Sequence, residues 1–306
     1  MGAKVRAIKR RMRSVASTRK ITKAFELIAA SRIIKAQARA TASRPYADAI
    51  SEMVQMLAGE ARSSPLLAER PEVHNVGLVV ITADRGLCGA YNSNVLREAE
   101  RARRRETGAG HDVRITGVGR KALSFYRFRR IPMAAEFAGV SDRPTYDDAK
   151  RIAAALIQQF VAGDIDKLFV AYTEYASTFV QRAKVAQVLP ARVEEPAPSA
   201  SAGGGGYQAA FEYEPEPAAL LEGLLPRYVQ MKLYAAMLES AASEHAARRR
   251  AMRAATDNAD DLMKVLELTA NQARQSEITA EIADIVGGAE ALRQEEAEHR
   301  EEEVGV

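Results

Sequence analysis

Apolar side chains recur at steps of three and four near both ends of the chain and bunch into short unbroken runs in its middle. At the N-terminal end the series is Val5, Ile8, Met12, Val15, then Ile21, Phe25 and Ile28. At the C-terminal end it is Ala255, Ala259, Leu262, Leu266, Thr269 and Ala273, then Ile278, Ile282 and Ile285. Such steps put one face of a helix against a partner, as in a coiled-coil seam. Neither series meets a helix breaker: residues 3–44 and 227–286 are free of Gly and Pro. At 1.5 Å per residue these stretches predict helices of about 63 and about 90 Å, two to three times the roughly 30 Å of a small domain. The many Ala residues in the seam favour a closely packed antiparallel pair, built from opposite ends of the chain.

The middle alternates between strand and helix patterns. Val76 to Thr82 is a continuous apolar run of the kind buried on both faces of a parallel sheet. It leads into the loop Asp84-Arg85-Gly86-Leu87-Cys88-Gly89 and a helix from about Asn92 to Arg105. Residues 112–118 predict a second strand and 121–128 a short helix. Thr145 with Asp148 three residues on forms a capping-box start for a helix ending at Gly163. Strands are expected over 167–175 and 180–189, and the alternation points to βαβ units. The predicted organisation is an N-terminal helix over 1–60, an α/β domain over 74–190, and a flexible linker over 191–206. A last strand of that domain over 207–215, a C-terminal helix over 216–288 and an acidic tail over 289–306 complete it.

Charge divides the chain further. Residues 4–44 hold thirteen Lys and Arg against Glu26 alone, a net +12, so with +4 overall the remainder carries −8. Glu290 to Glu303 adds seven acids against Arg293 and Arg300. A basic helix of this kind is a solvated face, a face for an acidic partner protein, or a nucleic-acid contact. The last is disfavoured by the absence of interleaved aromatics or any nucleic-acid module. No apolar run approaches the roughly 20 residues needed to cross a bilayer, and the charged first 20 residues do not read as a signal peptide. Contact with a membrane is therefore expected only at its surface or through a partner.

Candidate chemistry is sparse. Gly117-Val118-Gly119-Arg120-Lys121-Ala122 follows a strand and opens a helix, in the form of a dinucleotide fingerprint. Bulky Phe125, Tyr126 and Phe128 follow, and no clean strand-end acid comes about 20 residues later, so a tight strand-to-helix turn is the better reading. A phosphate loop of the G-x-x-x-x-G-K-[ST] type is absent. His74, His111, His245 and His299 share no metal-ligand spacing and read as surface residues. With Cys88 as the single cysteine, no internal disulfide can form. No catalytic, cofactor-binding or metal-binding residue is assigned.

Four blocks carry a family resemblance. Lys20-Ile21-Thr22-Lys23-Ala24 leading to Ala29-Ala30-Ser31-Arg32, the loop Thr82 to Gly89, Ala254-Ala255-Thr256-Asp257-Asn258, and Arg274 to Ile282 ending in Ile285-Val286-Gly287-Gly288-Ala289 resemble the gamma subunit of F-type ATP synthase, in matching order. The resemblance implies an antiparallel coiled coil of the two terminal helices, acting as a central rotor shaft, with a Rossmann-like α/β domain at its foot. It implies coupling of a proton-driven membrane ring to ATP synthesis or hydrolysis on beta subunits, by a subunit that is not itself catalytic and needs no cofactor. Implied partners are a hexamer of alpha and beta subunits, an epsilon subunit and the membrane c-ring, at the cytoplasmic face of the cell membrane. The beta-subunit contact set carried over is Arg248, Gln275, Thr279, Glu281, Lys20, Lys23 and Phe25. The foot contact to epsilon or the ring is Asp84, Arg85, Gly86, Leu87 and Cys88. Phe25 departs from the Met common in the family, the paired cysteines of the chloroplast type are missing, and the tail after Glu290 extends beyond the usual ending. A coiled-coil scaffold and a dinucleotide-binding α/β enzyme are the alternatives.

Overall fold

A computed structural model describes residues 3–58, 65–191 and 216–304. In chain order the elements are α1 (Ala3–Ala58), β1 (Asn75–Ile81), α2 (Tyr91–Gly108), β2 (Asp112–Val118), α3 (Arg120–Phe128), β3 (Met133–Phe137), α4 (Tyr146–Ala162), β4 (Lys167–Tyr175), β5 (Gln181–Leu189) and α5 (Pro217–Val304). They divide between two compact units, Glu26–Ala251 on one hand and Met1–Phe25 with Met252–Val306 on the other. Helices α1 and α5 contribute residues to both.

In the Glu26–Ala251 unit the strands form one sheet in the order β3-β2-β1-β4-β5. The pairs β2–β3, β1–β2 and β1–β4 are parallel, and β5 closes the edge antiparallel to β4. The apolar run of β1 is continuous because both its faces are covered. Val79 and Ile81 join one core with α4 and the unit's segments of α1 and α5, whereas Leu78 and Val80 join a second core with α2 and α3. Thr145 caps α4 through a reciprocal hydrogen-bond pair with Asp148, and Gly163 ends the helix in the left-handed conformation, as its sequence predicts. Strand β3 has no counterpart in the sequence reading. Its five residues, MAAEF, carry little β propensity, and pairing with β2 decides their conformation.

Both long helices run through prolines that lie inside their expected spans of 1–60 and 216–288. Pro45 lies inside α1 and Pro226 inside α5. An interior proline costs about 3 kcal/mol. On the far side of Pro45, Ile50, Val54 and Leu57 are 2–3% exposed, and Leu221, Leu225 and Val229 bracket Pro226 at 0–1%. Burying each such side chain stabilises by about 1.5–3 kcal/mol, so packing outweighs the proline in both places.

In the second unit the N-terminal part of α1 pairs with α5 in antiparallel sense. Thr22 meets Thr256, with hydroxyl oxygens 2.7 Å apart, and Arg19 reaches Asp260 at 2.5 Å. On α5 the covered positions include Met252, Thr256, Ala259, Met263, Leu266, Ala270 and Ala273, a series of four- and three-residue steps that half-buried Glu277 continues by one more. Leu262, expected in the seam, is 37% exposed, and Met263 takes its place. The register fixed by Thr22 and Arg19 puts Val5 opposite about Ala273, so the described residues of α1 end within a turn of that point. Ile278, Ile282 and Ile285 are accordingly 48, 56 and 71% exposed, not part of the packing stripe expected for them. Helix α5 also continues through Gly287-Gly288 to Val304 and does not stop at 288. Two glycines cost about 2 kcal/mol relative to alanine, and the Glu, Ala, Leu and Arg that follow are strong helix formers. The strand expected over 207–215 and nearly all of the 191–206 linker lie outside the described residues. No described helix is long and apolar enough to cross a membrane.

Candidate functional site

The loop after β1 is densely hydrogen-bonded to its neighbours in the Glu26–Ala251 unit. At its start, Asp84 accepts hydrogen bonds from the amides of Arg120 (3.1 Å), Gly139 (2.8 Å) and Ser141 (3.0 Å), and from the Ser141 hydroxyl (2.9 Å). The Asp84 amide in turn donates to Ser141 Oγ at 2.7 Å. Partial burial alone would raise the carboxyl's pKa. The donors around it prevail and hold it below the usual 3.8. One carboxylate thus ties together the loops that follow β1, β2 and β3.

The same contacts settle what the glycine fingerprint does. Gly119 has φ +90°, and a Cβ there would lie 2.2 Å from the Thr82 carbonyl oxygen, so only glycine lets β2 turn this close to β1. Amides at the start of α3 are the groups that would cradle a phosphate. Here the Arg120 amide binds Asp84, the Lys121 amide binds the Ala83 carbonyl at 3.1 Å, and the Ala122 amide binds Thr82 Oγ1 at 2.8 Å. The chain's own carboxylate, carbonyl and hydroxyl occupy the dinucleotide-binding position.

From α5, Arg248 braces the far side of the loop. Its guanidinium donates to the Gly86 carbonyl (3.2 Å) and to Glu244 (2.6 Å), and lies 3.3 Å from His245 Nδ1. His245 Nε2 is 3.2 Å from the Asp142 carbonyl, and Arg32 holds both Asp142 carboxylate oxygens at 2.6 Å. Burial lowers the His245 pKa to about 4, so the ring is neutral at pH 7, and burial pushes the Glu244 carboxyl up against the opposing pull of Arg248. Asp142, Glu244 and His245 converge closely enough to suggest a metal site. Arg32 and Arg248 already neutralise both carboxylates, which makes the cluster an ion-pair network.

The burial of these side chains changes several site expectations. Arg248 is 7% exposed with its donors engaged inside the chain, because the loop carbonyls and Glu244 enclose it. His245, read as a surface residue, is 1% exposed. Its charged neighbours Glu244, Arg248, Arg249 and Arg250 read as a solvated stretch, although Glu244 and Arg248 at four-residue spacing was an available signal for a buried pair. Cys88 is 1% exposed, its sulfur accepting from Asn92 at 3.1 Å and its thiol pKa raised by burial. Of the loop, Arg85 and Leu87 point outward, Leu87 at 59% exposure and φ +62°.

In the other unit, Lys20, Lys23, Gln275, Thr279 and Glu281 are exposed and Phe25 is half-buried. Thr279 Oγ1 donates to the Gln275 carbonyl at 3.0 Å, one turn back. Gln275 and Thr279 share a helical face on which the exposed Ile278 and Ile282 adjoin them.

The α/β unit, with the amides of its glycine turn engaged within the chain, is joined to helices of 56 and 88 residues, which places the chain among α/β proteins built on long terminal helices. A family model described as ATP synthase matches residues 4–292. The gamma chain of the ATP synthase of Parafrankia sp. (strain EAN1pec) is 48% identical, over 95% of this chain and 99% of its own. That of Mycolicibacterium smegmatis is 46% identical with the same coverage. This chain belongs to the ATP synthase gamma chain family. Its fold is also that of the rotor in the Euglena gracilis mitochondrial ATP synthase, with a TM-score of 0.65 at 19% identity over 91% of this chain and all of that one. The central stalk of the Tetrahymena thermophila mitochondrial enzyme gives 0.56 at 22% identity over 77% of this chain and 99% of its own.

Proposed function

We propose that the chain is the central rotor shaft of a proton-transporting F-type ATP synthase, non-catalytic itself, which couples rotation of the membrane c-ring to ATP synthesis or hydrolysis on beta subunits. The observation that carries the reading is near-full-length similarity to gamma chains, joined to a helix pair whose C-terminal member extends beyond the described residues of α1. Beyond about Ala273, α5 presents Ile278, Ile282 and Ile285 to the outside, an apolar stripe suited to a surrounding collar of subunits. Partners are then an alpha and beta hexamer, an epsilon subunit and the c-ring, with no nucleic acid, at the cytoplasmic face of the cell membrane.

Within that reading the beta subunits are met by Lys20, Lys23, Phe25, Gln275, Thr279 and Glu281. Arg248 acts as a positioning residue for the Asp84–Gly89 loop. Arg85 and Leu87 supply its outward contacts to epsilon or the ring, while Asp84, Gly86 and Cys88 shape it. The test is alanine at Gln275, Thr279 and Glu281, one at a time, in the assembled complex. ATP-driven proton pumping in inverted vesicles should fall while circular dichroism of the full chain stays unchanged. Loss of a hydrogen bond to a partner costs about 1–3 kcal/mol when it strands a buried group. Unchanged pumping in all three removes these residues from the contact set. Failure of a tagged chain to co-purify alpha and beta subunits in threefold excess refutes the rotor reading itself.

A further inference from the structure

A strongly charged concavity in the Glu26–Ala251 unit lies between α2 and α3 and adjoins the loop network through Gly89, Asn92 and Lys121. Helix α2 contributes Arg97, Arg101 and Arg104, at steps of four and three that place them on one face. Helix α3 contributes Lys121 and Phe125, four apart, and Arg129 caps its C-terminus. The cleft has a volume of about 710 Å³, within the range of about 300–1,000 Å³ typical of small-molecule sites.

Its charges are unbalanced. Glu100 is the one carboxylate in the lining, and it is already held by Arg103 at 3.0 Å and approached by Arg129 at 3.6 Å. Arg101 pairs with Glu98 at the rim. Among the described residues, Arg97, Arg104 and Lys121 have no carboxylate partner. Like charges gathered in a cleft repel one another, so the fold gains nothing from this arrangement until an anion enters. Leu96 is 8% exposed and half-buried Phe125 carries the Arg129 guanidinium 4.4 Å over its ring, which gives the cleft an apolar floor beside its cations.

We propose that this cleft binds a ligand bearing two or more phosphate groups, with Leu96 and Phe125 against its uncharged part. Guanidinium forks match phosphate oxygens in bidentate fashion, and their spread over two helices suits several phosphates better than one. Because the α3 amides are taken by Thr82, Ala83 and Asp84, recognition falls to side chains.

The test is calorimetric titration of the purified full-length chain with pyrophosphate, ADP and citrate, and flotation with vesicles containing or lacking cardiolipin. The triple variant R97Q/R104Q/K121Q serves as control, with circular dichroism to verify its fold. One saturable site for pyrophosphate or ADP, at least tenfold tighter than for citrate and weakened at least tenfold in the variant, supports the proposal with a soluble phosphate as ligand. Capture by cardiolipin vesicles alone, lost in the variant, supports it with a lipid headgroup as the source. Three results overturn it: no binding of any phosphate probe with a Kd below about 1 mM, citrate binding as tightly as pyrophosphate, or a folded variant that binds like the wild type.

Discussion

Replacing Asp84 tests whether one carboxylate holds the three strand-end loops together. It accepts four hydrogen bonds, three from backbone amides. A hydrogen bond to a charged group contributes about 1.5–3 kcal/mol. Asp84 is half-buried, so water replaces part of what alanine removes, and the low end applies with the bonds sharing one anchor. Asp84→Ala should therefore destabilise the chain by about 3–5 kcal/mol. Asp84→Asn keeps an acceptor for Arg120 and Gly139 but turns an NH2 towards the Ser141 amide, and should cost about 2–3 kcal/mol. The assay is urea unfolding of the full-length chain, followed by near-ultraviolet circular dichroism of its tyrosines, since it has no tryptophan. A pH series supplies the sign. The folded Asp84 pKa lies below the usual 3.8, so its stabilisation is fully present above that value and is lost as pH falls through the folded pKa. The gap between wild type and Asp84→Asn should thus narrow below about pH 4. His245, which also costs stability as pH falls from 6.5 towards about 4, is common to both proteins and cancels. An Asp84→Ala chain within about 0.5 kcal/mol of wild type would refute the argument.

Three further outcomes are expected. Gly119→Ala should prevent folding of the α/β unit, judged by soluble yield and urea midpoint, because its Cβ would lie 2.2 Å from the Thr82 carbonyl; Gly117→Ala meets only flexible Leu123 and Met133 at 3.0 and 3.1 Å and should cost about 1 kcal/mol. In the helix pair, Thr256→Val should destabilise by about 1 kcal/mol by removing the interhelical hydroxyl contact, while Thr22 keeps its hydrogen bond to the Arg19 carbonyl; the double variant Thr22→Val, Thr256→Val should lie closer to wild type than the sum of its singles, and strict additivity in a double-mutant cycle would contradict the contact. Amide hydrogen exchange should be slow over 256–273 and fast over 281–304, since the described residues of α1 end opposite about Ala273; equal protection in both would show that the register is misplaced.

The sequence by itself determined whatever depends on local spacing. The two long helices follow from three- and four-residue apolar steps in stretches without breakers. Strand β1 follows from its unbroken apolar run, and α4 from the Thr145–Asp148 box and Gly163. The four motif blocks carried the family. Tertiary structure decided what depends on partners distant in sequence. The Gly287-Gly288 pair looked like a limit because propensity is local, yet the strong helix formers after it carry α5 on, while burial on both sides of Pro45 and Pro226 holds both helices through their prolines. The seam shifts from Leu262 to Met263, and Ile278, Ile282 and Ile285 are exposed, because the Thr22–Thr256 register fixes where α1 ends opposite α5. Arg248, Glu244, His245, Asp142 and Arg32 come from three separate parts of the chain, so no motif could show that they form one buried network. The glycine fingerprint was present in sequence in both readings, and only the positions of Thr82, Ala83 and Asp84 against the α3 amides show that the chain itself fills the place a phosphate would take.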